Sequence, residues 1–219
     1  MDHSVQGDRH LRTDAERNRG RILVAARRLY SREGLHVPLA RIAAEAQVGK
    51  ATLNRRFPTR ESLLTAVFAE QMERHAAAVA EALAFPDAWE GFIAYVEARC
   101  AMQAEGSDFA DILTMTFPFA AALEDRRREA YEAYSLLVAR AQRTGNLRAD
   151  FRHEDIVLLF MANAGVVAAT SHAAPDAWRR VARQFIRAFA GPGAPVPPLP
   201  EPPTRPQMFA AMQRAAPRP

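Results

Sequence analysis

The stretch from Leu39 to Phe57, LARIAAEAQVGKATLNRRF, constrains the fold of this 219-residue chain more than any other. Apolar residues recur in it at helical spacing: Leu39, Ile42, Ala43 and Ala46. This spacing predicts a short helix, and a second short helix is predicted from Lys50, closed against the first by Val48, Leu53 and Phe57. Side chains with donors are left on the other face: Lys50, Thr52, Asn54, Arg55 and Arg56. A short helix held this way suits a DNA major groove.

Composition fits a folded protein without disulfides. Hydrophobic residues make up 49% of the chain and charged residues 25%, which is ordinary for a protein that buries a core. The single cysteine, Cys100, excludes an internal disulfide and fits a cytoplasmic protein. We expect neither a secretory signal nor contact with a membrane, because the first twenty residues are polar and no apolar run is long enough to span a bilayer.

Charge is distributed unevenly along the chain. Residues 1–60 hold 13 Lys and Arg against 6 Asp and Glu, whereas the remaining residues hold 16 against 19. A basic front and a mildly acidic rear indicate one end that faces a polyanion. An alternative is that arginine is simply common throughout, although the only lysine is Lys50, at the start of the second short helix.

Capping signals place further helices on both sides of this stretch. Thr13 to Glu16 match a capping box, so a first helix is predicted from about Asp14, ended by Gly34. Residues 1–12 are then expected to be a disordered basic arm. Pro58-Thr59 is predicted to end the third helix and to cap a long fourth one that runs to about Ala84.

These segments, in this order and spacing, resemble the DNA-binding domain of TetR-type transcriptional regulators. The resemblance covers roughly Arg17 to Arg74 and is carried by RILVAARRLYSREG, IAAEAQVGKATLNRRF and PTRESLL. It implies an all-α fold of about nine helices, in which a DNA-binding domain (13–60, helix-turn-helix about 39–58) is joined by a long fourth helix to a ligand-binding and dimerisation domain (61–190). It also implies a homodimeric repressor that binds a pseudo-palindromic double-stranded DNA operator and is released by a small molecule.

The resemblance assigns DNA contacts residue by residue. The implied contacts are Arg41, Lys50, Ala51, Thr52, Asn54, Arg55, Arg56 and Arg60. Three positions depart from the family pattern. Gln47 replaces the turn glycine and is expected at positive φ with about 1 kcal/mol of strain, Asn54 replaces the usual tyrosine, and Ala51 replaces a common glycine. These departures affect which operator sequence is expected. They do not affect the assignment of the DNA-binding domain.

The rear of the chain is predicted to be helical up to about residue 190. Predicted helices begin near Trp89, at Gly106-Ser107, near Asp125, at Glu154 and near Pro175. The run IVLLFMANAGVVAA in the Glu154 helix is apolar on most faces and must be buried on most of them. By the resemblance, the last two helices form a four-helix bundle with a second subunit, while burial within one subunit stays the alternative. Candidate interface residues are Phe160, Ala164, Gly165, Ala168, Trp178 and Phe185.

Beyond Gly191 the chain holds ten of its 15 prolines, so residues 191–219 are predicted to be an extended, mobile tail.

An effector pocket is expected among the rear helices, for a largely apolar or aromatic molecule. Its candidates are Met72, Phe92, Tyr95, Met102, Met115, Phe117, Tyr131, Tyr134 and Asn163, each of which also fits a plain core position. The alternative is a DNA-binding regulator whose rear domain binds a protein partner or no ligand at all. An enzyme is disfavoured because the six histidines are scattered and no phosphate loop, metal-ligand spacing or cofactor motif is present.

Overall fold

A computed structural model describes residues 3–105, 117 and 120–215. The chain divides into two compact units, Met1–Glu70 with Thr116–Glu124 and Gln71–Met115 with Asp125–Pro219. The described residues contain no β-strand, only an isolated antiparallel bridge between Leu147 and Ala190. The all-α prediction is confirmed.

The first unit is built from three helices and the beginning of a fourth: α1 (His3–Glu33), α2 (Leu39–Glu45), α3 (Lys50–Arg56) and α4 (Arg60–Ala84). Its buried side chains lie at the positions that helical periodicity predicts, including Ile22, Leu29, Ile42, Ala46, Leu53, Phe57, Leu64 and Phe68. Thr59 and Ser62 exchange backbone-to-hydroxyl hydrogen bonds at the start of α4, so the predicted cap is present. Helix α2 packs against both α1 and α3.

Helix α1 begins at His3 rather than near Asp14, so the expected first boundary and the disordered arm 1–12 are wrong. The sequence from His3 to Asp14 holds no proline, the residue that most strongly breaks a helix, and its good helix formers are Gln6, Arg9, Leu11 and Arg12. The Thr13 to Glu16 pattern therefore lies within a helix and starts none.

The second unit contains the rest of α4 and five further helices: α5 (Ala88–Ala104), most of α6 (Ala121–Arg143), α7 (His153–Thr170), α8 (Ala177–Phe189) and α9 (Arg205–Ala215). Helices α5, α7 and α8 pack on one another. Their core is aromatic: Phe92 stacks on Trp89 at 5.6 Å between ring centroids and meets Phe151 edge-on at 5.5 Å. The helix predicted from Gly106-Ser107 lies outside the described residues.

The C-terminal segment contradicts the prediction of an extended, mobile tail over 191–219. Residues 191–204 carry no helix, but residues 205–215 form α9. The preceding extended part accepts hydrogen bonds from the second unit, among them one of 2.6 Å from the Trp89 indole to the Pro195 carbonyl. Prolines keep this segment extended, while donors at fixed positions on the helices bind its carbonyl oxygens.

Helix α7 is longer and more apolar than we predict from the sequence, where no apolar run is expected to be long enough to span a bilayer. Its 18 residues have a mean hydropathy of 1.2, enough to cross a membrane by length and composition alone, with 28% of them buried. The prediction that no run has this length is therefore wrong. Helices buried in a core or an interface have the same composition, and α7 also carries Asn163 and an acidic first turn.

Candidate functional site

The turn between α2 and α3 is a Schellman motif with glutamine at the position that usually holds glycine. The Val48 amide donates to the Ala43 carbonyl at 3.0 Å and the Gln47 amide donates to the Ala44 carbonyl at 3.0 Å. Gln47 has φ +52°, and it is the only residue other than glycine with positive φ in the described part of the chain. The predicted positive φ of Gln47 is confirmed.

Arg21 of α1 supports this turn, a role that the sequence did not indicate. One nitrogen, Nη2, donates to the backbone carbonyl of Gln47 and to its side-chain Oε1, both at 3.1 Å. A glycine would offer only the first of these acceptors. The side chain of Gln47 therefore makes a contact that offsets part of the cost of its backbone conformation.

Helix α3 presents its polar side chains to solvent. Lys50, Ala51, Asn54, Arg55 and Arg56 are exposed and Thr52 is half-buried, whereas Leu53 is completely buried. Among the described residues, no hydrogen bond or ion pair engages the side chains of Lys50, Asn54, Arg55 or Arg56. Three of these four carry a positive charge. This face therefore offers free donors to a ligand rich in acceptors.

The other two predicted DNA contacts are engaged within the subunit. Arg41 binds both carboxylate oxygens of Glu33, the shortest contact being 2.7 Å from Nη2 to Oε1. These hydrogen bonds lower the pKa of Glu33 and raise the pKa of Arg41. Arg60 donates from Nη1 to the carbonyls of Leu35 (2.7 Å) and Val37 (2.9 Å). Arg60 thus holds the loop between α1 and α2.

The predicted pocket residues do not form one site. Tyr95, Tyr134 and Asn163 are completely buried in the second unit, and the two tyrosine rings lie 5.2 Å apart. Tyr131 is 39% exposed and its hydroxyl contacts His153 Nδ1 at 3.0 Å, so it belongs to the surface. Phe92 is enclosed in the aromatic core.

Of the remaining candidates, Met102 is half-buried and Phe117 is buried in the first unit. Met72 is buried, and Met115 lies outside the described residues.

A polar cluster occupies the interior beside Tyr95, and sequence reasoning missed its first member. His75 of α4 is completely buried, its ring lies 6.0 Å from that of Tyr95, and neither ring nitrogen has a hydrogen-bond partner in the part of the chain that the structure describes. Burial, assisted by the charge of Arg99, lowers the pKa of His75 from 6.5 to about 3, so its imidazole is neutral. The sequence feature that could have identified His75 is its position, because it is a polar residue in the buried stripe of α4. The apolar members of that stripe include Phe68, Met72, Val79 and Ala82.

Asn163 of α7 belongs to the same interior. Its Nδ2 donates to Gln103 Oε1 at 2.7 Å and to the Cys100 carbonyl at 3.3 Å, while its Oδ1 has no hydrogen-bond partner among the described residues. Gln103 in turn donates to the Phe160 carbonyl at 3.1 Å. Arg99, one turn before Gln103, lies with its guanidinium 5.3 Å from the centre of the Phe160 ring.

A partly open cavity of about 430 Å³ lies between α4 and α6 in the second unit. Apolar residues dominate its lining, with a rim of three charged side chains: Glu73, Arg126 and Glu129. Of the predicted pocket residues that the structure describes, Met72 alone is in this lining. Its volume falls within the range of small-molecule sites.

The six predicted interface residues also separate into two groups. Ala164, Gly165 and Ala168 are exposed on α7, whereas Phe160 and Trp178 are buried in the core of their own unit. Phe185 is half-buried against the same core. Aromatic size alone could not separate a core position from an interface position, because both bury large apolar side chains.

Two family models match this chain. The model "Bacterial regulatory proteins, tetR family" covers residues 22–67, and the model "Transcriptional regulator SbtR-like, C-terminal domain" covers residues 87–187. The protein is thus a DNA-binding transcriptional regulator of a helix-turn-helix class. It belongs to the TetR family. No curated protein matches the chain by sequence.

Several solved structures are similar to this chain, and two of them, with TM-scores above 0.5, share its fold. A putative TetR family regulator from Shewanella sp. PV-4 is 21% identical, with 79% of this chain and 98% of that one covered and a TM-score of 0.52. AibR, in complex with isovaleryl coenzyme A and operator DNA, is 20% identical over 78% and 95% of the chains, with a TM-score of 0.52. A TetR regulator from Streptomyces coelicolor is 29% identical over 80% and 99%, with a TM-score of 0.44.

Proposed function

We propose that this protein is a cytoplasmic homodimeric repressor that binds a pseudo-palindromic operator and is released when a small molecule enters the second unit. The observation that carries the DNA part is the exposed face of α3, where Lys50, Arg55 and Arg56 have no partner among the described residues. Helix α3 lies in the major groove in this proposal. Phosphates and base edges then take up donors that the subunit leaves free.

The side chains proposed to contact base edges are those of Arg55, Asn54 and Thr52. Those of Lys50 and Arg56 are proposed to contact phosphates. Arg41 and Arg60 bind acceptors of their own subunit and stabilise the first unit. They are therefore not proposed as primary DNA contacts. Ala51 offers only its methyl group, which suits contact with a thymine methyl.

The dimer is supported by the exposed face of α7. Leu158 and Met161 are 59% and 65% exposed, and Ala164, Gly165 and Ala168 lie exposed along the following turns. An apolar helix that is covered so little by its own subunit is expected to pack against the surface of another subunit. A two-fold dimer also supplies two reading helices for two half-sites.

The effector is proposed to be a neutral, mainly apolar or aromatic molecule that carries hydroxyl groups. Two separate features support this: the cavity between α4 and α6, and the buried hydrogen-bonding atoms of His75 and Asn163, which do not line that cavity and have no partner among the described residues. A buried polar atom without a partner costs about 1–3 kcal/mol, which a ligand hydroxyl would recover. The neutral imidazole can both donate to and accept from such a group.

Selection of bound sequences from random double-stranded DNA tests the DNA part. We expect a pseudo-palindrome with half-sites about one helical turn apart. Recovery of unrelated sequences without a repeated half-site would contradict an operator-binding function.

For the effector part, phenol and related hydroxylated aromatics are titrated while the melting temperature and operator binding are followed. A compound that raises the melting temperature and weakens operator binding supports release by a ligand, and His75→Leu should reduce both effects.

A further inference from the structure

The C-terminal segment from Gly191 to Ala215 lies beyond the last residue of both family models, which end at residues 67 and 187. It is nevertheless fixed to the second unit at its beginning. The Gly191 amide donates to the Asn146 carbonyl at 2.7 Å, and a Cβ atom at Gly191 would lie 2.1 Å from the Gly145 carbonyl oxygen. Only glycine permits this approach.

The extended part is held by donors from two helices. Trp89 of α5 donates to the Pro195 carbonyl, Arg183 of α8 donates to the Pro198 carbonyl at 2.7 Å, and Arg180 donates to the Pro200 carbonyl. Arg180 and Arg183 are three residues apart and therefore lie on one face of α8. A proline-rich chain suits this face because it supplies acceptors without requiring donors in return.

Helix α9 then begins at a built cap. The Thr204 amide donates to Gln207 Oε1 at 2.8 Å and the Gln207 amide donates back to Thr204 Oγ1 at 3.4 Å. The helix packs on α7, and His172 Nε2 contacts the Ala210 carbonyl at 3.3 Å. Helix α9 therefore lies at the carboxyl end of α7.

Helix α9 buries very little of its own apolar surface. Ala211 is 2% exposed, but Met208, Phe209 and Met212 are 38%, 65% and 67% exposed. A helix of 11 residues is marginal in water without tertiary contacts. Phe209 and Met212 are thus placed at a defined position where the described part of their own subunit leaves most of each side chain uncovered.

The exposed face of α7 leads to this helix. Leu158, Met161, Gly165 and Ala168, then His172 just past the helix end, follow one another at intervals of three and four residues. Such intervals place them on one face. The contact of His172 with α9 marks where this stripe meets the C-terminal segment.

The stripe is complementary to a second copy of itself. Its first half is bulky (Leu158, Met161) and its second half is small (Gly165, Ala168), and nothing lies within 4 Å of a Cβ built at Gly165. If two α7 helices pair antiparallel about the position of Asn163, Leu158 faces Ala168 and Met161 faces Gly165 of the second copy. The small half of each helix then accepts the bulky half of the other.

We propose that α9 is part of the dimer interface and packs its Met208, Phe209 and Met212 on the amino-terminal half of α7 of the second copy. This inference rests on the homodimer of the proposed function and adds an element that neither family model contains. In the antiparallel pairing the carboxyl end of one α7, where α9 lies, faces the Leu158 end of the other. The occupant of the exposed α9 face is therefore a second copy of this chain.

The test is the dimer dissociation constant of the full chain, measured by sedimentation over a dilution series. The Phe209→Glu/Met212→Glu double variant should raise it about tenfold or more, because two apolar side chains lose their buried contacts. Leu136→Glu is the matched control, since Leu136 is 52% exposed on α6 and lies outside the proposed interface. We expect Leu136→Glu to have the same dimer dissociation constant as the unchanged protein. At concentrations where the chains are dissociated, both variants and the unchanged protein should have the same melting temperature.

Cross-linking supplies an independent measurement. Phe209→Cys and Leu158→Cys are prepared as separate variants, mixed, and treated with a short bis-maleimide; Cys100 is buried and serves as background in the unchanged protein. A cross-linked dimer that is enriched in the mixture over either variant alone supports the contact between α9 and α7.

The outcomes separate the two proposals. An unchanged protein that dimerises, together with a double variant of the same dissociation constant and no enriched cross-link, overturns the role of α9 alone. An unchanged protein that stays monomeric at every concentration overturns the homodimer and the role of α9 together.

Discussion

Gln47 shows how a single residue departs from a family pattern without loss of the turn it occupies. Its φ of +52° is unfavourable for a side chain with a Cβ, but Arg21 binds its backbone and its side chain. We expect Gln47→Ala to lower the free energy of unfolding by about 1 kcal/mol, because the strain stays and one hydrogen bond is lost. Gln47→Gly should be more stable than Gln47→Ala by about 1–2 kcal/mol.

Urea unfolding measures this order. Ala44→Gly provides the control with the opposite sign, because Ala44 lies inside α2, where glycine costs about 1 kcal/mol. If Gln47→Ala and Gln47→Gly are equally stable, the left-handed conformation of this residue carries no strain.

Arg55 is the residue for which the reading of bases is proposed. Arg55→Ala should weaken operator binding by about 1–3 kcal/mol and weaken binding to unrelated DNA less, because a base contact acts only on the correct sequence. Arg143→Ala, an exposed arginine in the second unit, is the control. Fluorescence anisotropy with operator and scrambled duplexes measures both affinities at a fixed salt concentration, and an equal loss on the two DNAs would assign Arg55 to phosphate alone.

His75 couples the second unit to pH. Its pKa is about 3 in the folded chain against 6.5 when unfolded, so below pH 6.5 the unfolded chain takes up the proton first. The free energy of unfolding should therefore fall as the pH is lowered, by about 1.6 kcal/mol from this group between pH 6.5 and pH 5. His75→Leu should remove this part of the fall, whereas His36→Gln, at an exposed histidine, should keep it. Chemical unfolding at both pH values measures the difference, and an unchanged slope in His75→Leu would show that the imidazole is protonated in the fold.

At the scale of the helix, the sequence predicted elements that local signals define. The turn, the cap at Thr59 and the apolar stripes of α2 and α3 are set by residues close in sequence, so their positions could be inferred. The start of α1 could not, because Thr13 to Glu16 is a capping pattern only if the preceding chain leaves the helix. The docking of residues 191–204 depends on Trp89, Arg180 and Arg183, which are distant in sequence, so composition alone suggested a mobile tail.

The same limit applies to the site residues. Exposure of α3 follows from its periodicity, whereas the partners of Arg41 and Arg60 are set by how α1, α2 and α4 come together. His75 was overlooked because a histidine in an apolar stripe carries no sign of its missing partners until the surrounding helices are placed.

The segment after α8 gives a prediction at the helix scale. The Arg180→Ala/Arg183→Ala double variant removes two donors to the segment and the 2.8 Å contact of Arg183 with Glu97. We expect faster cleavage by a proline-specific endoprotease after Pro195, Pro198, Pro200 or Pro203, because the extended chain is then held by Trp89 alone among these donors. Arg179→Ala is the matched control on the same helix, since Arg179 pairs with Asp176 and donates nothing to the segment. Equal cleavage rates in the two variants would mean that these hydrogen bonds do not fix the segment.

At the scale of the whole molecule, the proposed function makes DNA recognition depend on assembly of the dimer. One α3 helix offers a handful of donors, and two of them at a fixed spacing give both affinity and a requirement for two half-sites. The exposed stripe of α7 is what the proposed assembly rests on, so a change there should alter DNA binding without touching α3.

Gly165→Gln tests this dependence. No atom lies within 4 Å of a Cβ at Gly165, so the subunit tolerates the side chain, and loss of a helical glycine favours α7 by up to about 1 kcal/mol. In the dimer the same side chain would collide with the second copy, so the variant should sediment as a monomer and bind a two-half-site operator much more weakly. Gly20→Gln is a matched control, because Gly20 also lies in a helix with nothing within 4 Å of its Cβ. Sedimentation and operator binding measured on both variants decide the matter: a Gly165→Gln protein that stays dimeric places the interface elsewhere on the chain.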